Sequence, residues 1–596
     1  MFQTFDVTAR PEQGPPRLAA LRTELERHGL DGFMVPRADA HQGEYVAERD
    51  ARLAWLTGFT GSAGFCAALR EVAGVFIDGR YRTQVKAQVA NVYTPVPWPE
   101  RQLPGWLKEQ LPQGGKVGFD PWLHTISEVE RWDKSLENTG IEMVRTPNLV
   151  DAIWADQPAP PAAPIKAHPL EFAGESGADK IARLARGLTT AGQTSAVLTQ
   201  PDSIMWLLNI RGSDIARNPL ALGFAILHAN GRVDLFMGRN RLVDLADHLG
   251  ADVAIYDTNE FGAALQPLSG SVRLDPATAP QAVADALEGR WVAGDDPCAL
   301  PKARKNDAEI EGAAQAHLRD GAAMVELLTW LDAQPAGSLT EIDVVTRLEQ
   351  CRRRDNALQD ISFETISGTG PNGAIMHYRV TEETDARLEE GHLLVLDSGG
   401  QYLDGTTDIT RTVAIGGPGS EECAAFTRVL KGMIAMSMLH WPAGLAGRDI
   451  ECVGRAPLWA AGQDFNHGLG HGVGAYLSVH EGPQRLSRAS TIPLEQGMIL
   501  SNEPGYYREG AFGIRIENLL VVQPLGDLPG ADPERSFLQW QTLTFVPIDR
   551  RLIVVGMLSA DERAWLNAYH AEVREKIGPR VGKDAKLWLD AAAAPL

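Results

Sequence analysis

Cysteine is scarce: five residues in 596, at positions 66, 298, 351, 423 and 452, with no CxxC pair. A disulfide framework needs an even, organised set, so a reducing compartment is favoured over an extracellular one. No stretch of about 18 uncharged apolar residues occurs, so no membrane-spanning helix is expected. The opening MFQTFDVTARPEQGPP lacks a basic segment followed by an apolar one, and no secretory signal is read from it. Positive charge is also short. Against 77 Asp and Glu stand 56 Lys and Arg, a formal net charge of -21. A chain this acidic repels phosphate backbones and anionic lipid, so neither nucleic acid nor membrane is expected as a partner. Together these absences point to a cytoplasmic protein.

What is present is ordinary globular material. Hydrophobic residues make up 44%, and the length suits two to four domains at roughly 100–200 residues each. Leu18, Leu21 and Leu25 lie at helical spacing, DGFMVP reads as a buried strand ended by Pro36, and GVFIDGRYR as a strand with a turn at Asp78-Gly79. Residues 1–154 are therefore expected to form an α/β domain. ADQPAPPAAPIKAHP is dominated by proline and alanine and reads as a linker, placed at 155–176. Residues 177–300 again alternate helix and strand. KIARLARGLTTAG leads into TSAVLT, and GFAILHANGRVDLFM looks like a hairpin turned at Asn230-Gly231. This architecture resembles a second copy of the first, without an identical sequence repeat. From about 301 a long amphipathic helix begins, with Ile310, Ala314, Leu318, Gly321, Val325 and Leu328 on one face. Glycine-rich strands follow to 535. The segment 536–596 reads as strands through FLQWQTLTFVPIDRRLIVVG and a capped closing helix.

Five potential metal ligands lie on separate elements of this third region: Asp397, Asp408, His471, Glu503 and Glu517. HLLVLDSGGQYLDGTTDITRTVAIG reads as a strand ending at Asp397, a turn, and returning strands holding Asp408. Neighbouring strands lie about 4.8 Å apart, so both carboxylates can face one point. MILSNEPGYY and AFGIRIENLLVV form a second pair. Glu503 ends an apolar run before Pro504-Gly505, and Arg515, Glu517 and Leu519 share one face of the last strand by alternation. An inward carboxylate on so apolar a strand is costly without a partner. Between the pairs, NHGLGHGVGAYLSVHEGP places glycines around His467 and His471, which allows close approach of backbone and ligand.

Four carboxylates and one imidazole exceed the three protein ligands of a catalytic zinc. They suit two divalent cations, whose charges offset four acids. Such a pair, roughly 3.5–4 Å apart, can bridge and acidify a water. Oxygen-rich ligation favours hard ions, so Mn²⁺ is expected first, with Zn²⁺ or Co²⁺ as alternatives. Taken singly, Asp397 before Ser-Gly-Gly is a turn residue and His377 an ordinary histidine of intermediate burial. The ordered set carries the signal.

That order, D-x10-D, HGLGHGVG, NEPG and IRIEN, resembles the pita-bread metallopeptidases, which include Xaa-Pro aminopeptidase, prolidase and methionine aminopeptidase. DAHQGEYVAERDARLAWLTGFTGSAG, DGRYRTQ, GPNGAIMHYR, GHGVGAYLSVHEGP and FLQWQTLTFVPIDRRLI resemble the three-domain, cytosolic Xaa-Pro aminopeptidases over nearly the whole chain. The resemblance implies two creatinase-like N-terminal α/β domains before a pita-bread catalytic domain, making an α/β and α+β multidomain fold. It implies a homodimer and a peptide substrate with proline at position 2, cleaved before that proline. Asp397 would chelate one ion and His471 the other, and Asp408 and Glu517 would bridge. Glu503 would bind the second ion and act as general base. His377 and His480 would hydrogen-bond the substrate and assist proton transfer, while His467 lines the proline pocket. Arg80 would reach the substrate from the N-terminal domain, and Arg515 would balance the acids beside it.

Three rival readings compete. A prolidase would cleave Xaa-Pro and leave Xaa-Pro-Yaa, but the middle domain and DGRY speak against it. A creatinase uses a related fold without metal and would lack the carboxylate set. A non-catalytic peptide-binding module on the same scaffold would lose ligands and carry no transition metal.

Overall fold

The apolar run GFMVP forms the central strand of a six-stranded sheet in the computed structural model, which describes residues 1–526, 529–530, 532 and 534–596. The chain divides into two compact units. One holds Thr8–Leu170 and Glu175–Ala299; the other holds Met1–Val7, Glu171–Gly174 and Leu300–Leu596.

In the first unit, strands β1 (Gly32–Pro36), β2 (Phe65–Leu69), β3 (Ala73–Ile77), β4 (Thr94–Pro97), β5 (Gly115–Phe119) and β6 (Ile141–Arg145) take the order β4-β3-β2-β1-β5-β6. Leu18, Leu21 and Leu25 of the helix Gly14–His28 bury against this sheet beside Phe33 and Val35. A second sheet contains β7 (Ser195–Leu198), β8 (Phe224–His228), β9 (Val233–Phe236), β10 (Val253–Tyr256), β11 (Val272–Leu274) and β12 (Trp291–Ala293), ordered β10-β9-β8-β7-β11-β12. Strand for strand this is the first order again. The directions repeat too: the second strand of each set pairs antiparallel with the first and third, and the remaining pairs are parallel. The hairpin β8–β9 turns at Asn230-Gly231, where Gly231 takes a φ of 89° that side chains resist.

The proline-alanine stretch departs from expectation in one respect. Lys166–Ala167 pairs antiparallel with Ile210–Arg211. The proline-free IKAH between Pro164 and Pro169 keeps the N–H groups that a ladder needs.

In the second unit, the helix Asp307–Asp332 starts at an Asn306/Glu309 capping box and buries Ala313, Ala316, Val325 and Leu328. The first residues, expected with the N-terminal domain, pack here instead. The Gln3 side chain exchanges hydrogen bonds with the Thr365 backbone, Phe2 N–H donates to Glu349, and Glu382 N–H donates to the Phe5 carbonyl. Phe5 adds to the apolar cluster of Val345, Ile366, Tyr378 and Val380. Burial of these side chains, rather than position in sequence, sets the boundary.

Strands β13 (Ile366–Thr369), β14 (Leu393–Ser398) and β15 (Ile409–Ala414) make a three-stranded antiparallel sheet in the order β13-β14-β15. The large sheet contains β16 (Trp441–Pro442), β17 (Gly470–Gly472), β18 (Glu481–Leu486) and β19 (Ile499–Asn502). A separate hairpin is formed by β20 (Gly505–Arg508) and β21 (Phe512–Arg515). The large sheet is completed by β22 (Asn518–Pro524) and β23 (Phe537–Thr542), giving the order β16-β23-β22-β19-β17-β18. The expected continuous strand through IRIENLLVV is thus broken at Ile516-Glu517. Its first half pairs with β20 and its second half with β19 and β23.

After β23 the chain forms no further strands, contrary to expectation. The buried Arg411 guanidinium donates to the carbonyls of Val546, at 2.8 Å, and Pro547, so a side chain satisfies acceptors that a ladder would have used. The helix Ala560–Ile577 carries the expected Ser559/Glu562 capping box. It does not close the chain: Lys583–Ala592 is a further helix, burying Ala585 and Leu589. Among the described residues no helix is long and apolar enough to cross a membrane.

Gly513 of β21 faces Gly373 so closely that an added Cβ would stand 1.7 Å from the Gly373 carbonyl oxygen. Gly513→Ala should therefore destabilise the second unit by about 1–3 kcal/mol through forced backbone displacement. A lowered unfolding midpoint in differential scanning calorimetry checks this, and an unchanged midpoint refutes the close approach.

Candidate metal centre

Backbone pairing brings the two halves of the acidic set together. Asp397, next to last in β14, pairs with Thr410 of β15 on one side and Ile366 of β13 on the other. Asp408 lies not within a strand, as expected, but in the residue immediately before β15. Glu517 occupies the break between β21 and β22. There its N–H donates to the Thr410 carbonyl, and its carboxylate accepts from Thr410 Oγ1 at 3.0 Å. The strand break is what turns this acid toward Asp397 and Asp408: a continuous strand would have kept Glu517 in a ladder.

Glu503 follows β19 directly. Its N–H donates to Leu469, one residue from β17, which carries His471. Ser501 Oγ accepts from the His471 backbone N–H at 3.0 Å and approaches Glu503 Oε1 at 3.4 Å. Gly470 permits this contact, because a Cβ there would sit 1.9 Å from the Ser501 carbonyl oxygen.

His471 Nδ1 lies 2.9 Å from the Gly472 carbonyl oxygen, to which it can only donate. That bond orients the ring and leaves Nε2 as the nitrogen turned toward the acids. Nε2 in turn lies 3.5 Å from Asp408 Oδ2 and 3.7 Å from Glu503 Oε1. One ligand atom each from Asp408, His471 and Glu517 falls within 4.8 Å of the other two.

The acids are deeply placed: Asp408 is 3% exposed, Glu517 1% and Asp397 8%. Burial, then the charges of Asp397 and Glu503, hold the Asp408 carboxyl well above its ordinary range. Burial followed by Asp408 and Asp397 does the same to Glu517. Glu503 is pushed up to about 7, by burial first and then by Glu517. Among the described residues, one guanidinium bonds to them directly. Arg515 donates to Asp397 Oδ2 from Nη2 at 2.6 Å and from Nε at 3.1 Å. Asp397 Oδ1 is buried with no hydrogen-bond partner. An orphaned carboxylate oxygen, a His471 nitrogen turned toward the acids and three further acids with raised pKa fit a cluster built to hold cations.

The remaining site candidates distribute unevenly. The ring of His480 stands 4.2 Å from that of His471, nearly perpendicular to it. His467 donates from Nδ1 to the Gly468 carbonyl and accepts at Nε2 from the Tyr507 hydroxyl, which accepts from Arg515 Nη1 at 2.6 Å. Arg515 is therefore engaged by Asp397, Thr410 and Tyr507, at 2% exposure. His377 lies half-buried in the turn between the short helical segment Gly370–Ala374 and Tyr378. Arg80 belongs to the other unit and is held there by Asp78, at 2.7 Å, and by Glu44.

Sequence reading missed Thr410, Ser501 and Tyr507. Tyr507 had a signal. In the hairpin β20–β21, Gly505 pairs with Arg515 and Tyr507 with Gly513, so alternation puts Tyr507 and Arg515 on one face.

The chain is similar to known proteins along nearly its whole length. Residues 311–524 match the metallopeptidase family M24, and residues 536–596 match the C-terminal region of that peptidase. Residues 17–153 and 156–309 each match a creatinase/prolidase N-terminal domain. Aminopeptidase P2 of Arabidopsis thaliana is 38% identical, over 95% of this chain and 86% of its own. A probable Xaa-Pro aminopeptidase P of Talaromyces marneffei is 37% identical, over 97% and 92%. The crystal structure of an X-prolyl aminopeptidase from Caenorhabditis elegans, described as a cytosolic enzyme with a di-nuclear active site, superposes with a TM-score of 0.93. It is 33% identical and covers 98% of this chain and 99% of that one. With two creatinase-type N-terminal domains, the catalytic match and its C-terminal region all present in order, this chain belongs to metallopeptidase family M24.

Proposed function

We propose that this protein is a dinuclear-metal Xaa-Pro aminopeptidase, which hydrolyses the first peptide bond of substrates with proline at position 2. The observation that carries the reading is the convergence of Asp408, His471 and Glu517 on one point, with Glu503 and Asp397 adjoining. Asp397 would hold one divalent ion and His471 with Glu503 the other, with Asp408 and Glu517 shared. Mn²⁺ is the proposed metal, since four of five donors are carboxylates. When bound, such a pair supplies Lewis acidity toward the scissile carbonyl and lowers the pKa of a water.

The residues do the rest. Glu503 is the proposed base, since a carboxylate that would hold an ion would also lie within hydrogen-bond reach of the attacking water. His480, beside His471, and His377 are the proposed substrate contacts. His467, fixed by Gly468 and Tyr507, is the proposed wall of the proline pocket. An Xaa-Pro amide has no N–H and cannot add to a substrate-binding ladder as other peptides do. The site must instead grip the ring and protonate the leaving nitrogen. Relatives spanning the whole length, including both N-terminal domains, favour an aminopeptidase over a dipeptidase. A cytoplasmic location is proposed from the five scattered cysteines of the sequence and the likeness to an enzyme described as cytosolic, and a homodimer is proposed from the resemblance.

Peptide choice tests the reading directly. With Mn²⁺, Xaa-Pro-Yaa should be cleaved and Xaa-Ala-Yaa should not, whereas cleavage of Xaa-Pro alone would establish a prolidase.

Two substitutions test the proposed base and a proposed ligand. Glu503→Gln should lower kcat by about 10²–10⁴-fold, the span of a lost general base, with the fold kept. Asp408→Ala should lower the metal content measured by atomic emission. Survival of turnover in the first, or full metal in the second, removes the residue from its role.

Metal removal should also read out in stability. Without cations the folded state retains protons that the unfolded chain has lost between the ordinary carboxyl range, about 4, and about 7 at Glu503. The native state binds more protons there, so stability falls as pH rises. The drop in Tm caused by chelator should thus be larger at pH 8 than at pH 6. An equal drop at both would contradict the charge cluster.

A further inference from the structure

A second buried carboxylate, outside the acidic cluster, ties down the segment that carries His377. Glu341 opens the helix Glu341–Arg352 and is fully buried. Its Oε1 accepts from the Thr369 N–H at 2.7 Å and from Asn372 Nδ2 at 3.0 Å. Its Oε2 accepts from the Tyr378 hydroxyl at 2.8 Å and from the Ala386 N–H at 3.2 Å. These donors sit at both ends of the stretch 369–386 and in its middle, and Tyr378 is the neighbour of His377. Thr384 tightens the same knot, its carbonyl lying 3.0 Å from the Tyr378 hydroxyl and 3.3 Å from Asn372 Nδ2. Beneath lies the small apolar cluster of Val345, Ile366, Tyr378 and Val380, with Ile342, Ile375 and Phe5 at its edge.

The N–H groups of Thr369 and Ala386 and the Asn372 amide can only donate to Glu341, while the Tyr378 hydroxyl can also turn its hydrogen to the Thr384 carbonyl. A carboxyl group, with acceptor sites on both oxygens, satisfies the Thr369 and Ala386 N–H groups at once. Packing alone does not call for such a group, because a well-packed apolar residue is commonly as stable as a buried charge. Burial raises this carboxyl to about 7 in spite of its donors, a measure of what the arrangement costs.

We propose that Glu341 is a positioning residue for His377: by fixing Thr369, Asn372, Tyr378 and Ala386 it sets the turn from which that histidine meets substrate. The inference rests on the substrate role of His377 proposed above.

The test is a double-mutant cycle on the full-length, Mn²⁺-loaded protein with an Xaa-Pro-Yaa tripeptide. Glu341→Gln, whose amide must set its N–H against the N–H of either Thr369 or Ala386, should lower kcat about ten-fold or more, as loss of an orienting partner does. KM should stay within about two-fold and bound metal should be unchanged. His377→Ala should lower kcat about 100-fold or more. The double variant should be no worse than His377→Ala alone, because Glu341 acts through that residue. Should Glu341→Gln not fold, Tyr378→Phe removes one donor, keeps the carboxylate and completes the same cycle. Losses that multiply in the double variant, or a normal kcat in Glu341→Gln beside an impaired His377→Ala, overturn the positioning role alone. A normal kcat in His377→Ala overturns the reading of His377 itself, and this assignment with it.

Discussion

Three buried carboxylates and a half-buried fourth, within reach of one another, are the constraint on which the catalytic unit is organised. Coulomb's law gives about 4 kcal/mol for a pair of unit charges 4 Å apart at an effective dielectric of 20. Repulsion among Asp397, Asp408, Glu503 and Glu517 therefore competes with the total stability of a domain, typically 5–15 kcal/mol. The raised pKa values at Asp408, Glu503 and Glu517 are that repulsion combined with desolvation. Arg515 answers one acid of the four. The rest of the charge calls for cations from outside.

The fold resists the repulsion by using backbone, which is neutral and cannot be expelled, to fix each acid. Asp397 is locked between two strands, Glu517 by the Thr410 peptide and hydroxyl, and Glu503 by the Leu469 carbonyl. Glycines at 470 and 513 let these strands approach more closely than any side chain would permit. His471 is fixed by its own neighbour, Gly472, which leaves one nitrogen facing the acids. The result is a preorganised donor set, and preorganisation is what a metal site needs to select geometry as well as charge.

How much of this was legible in the sequence follows from which interactions are local. The hairpin at Asn230-Gly231 and the caps at Asn306 and Ser559 were readable because short-range chemistry decides them. The five candidate ligand positions stood out as an ordered set, because acids bordering apolar runs violate ordinary patterning. The break at Ile516-Glu517 was not visible, because IRIENLLVV alternates as one strand and only the competing partners, β20 and β19, split it. Nor was the loss of strand in FVPID, which depends on Arg411, more than 130 residues away. The packing of residues 1–7 on the catalytic unit was equally hidden, for Gln3 finds Thr365 across 362 positions.

That last class of contact bears on how the site is assembled. Its proposed ligands come from strands and loops between 397 and 517, so the donor set exists only after non-local pairing is complete, and loop-closure entropy must be met first. A cation held by that completed set binds the native state and not the unfolded chain. At a free concentration 100 times its Kd it stabilises by about 2.7 kcal/mol per site. Two such sites contribute about as much as one pair of charges repels. On this arithmetic, metal binding and folding are one equilibrium in the catalytic unit. The acids that make the native state costly are the same ones that let cations select it.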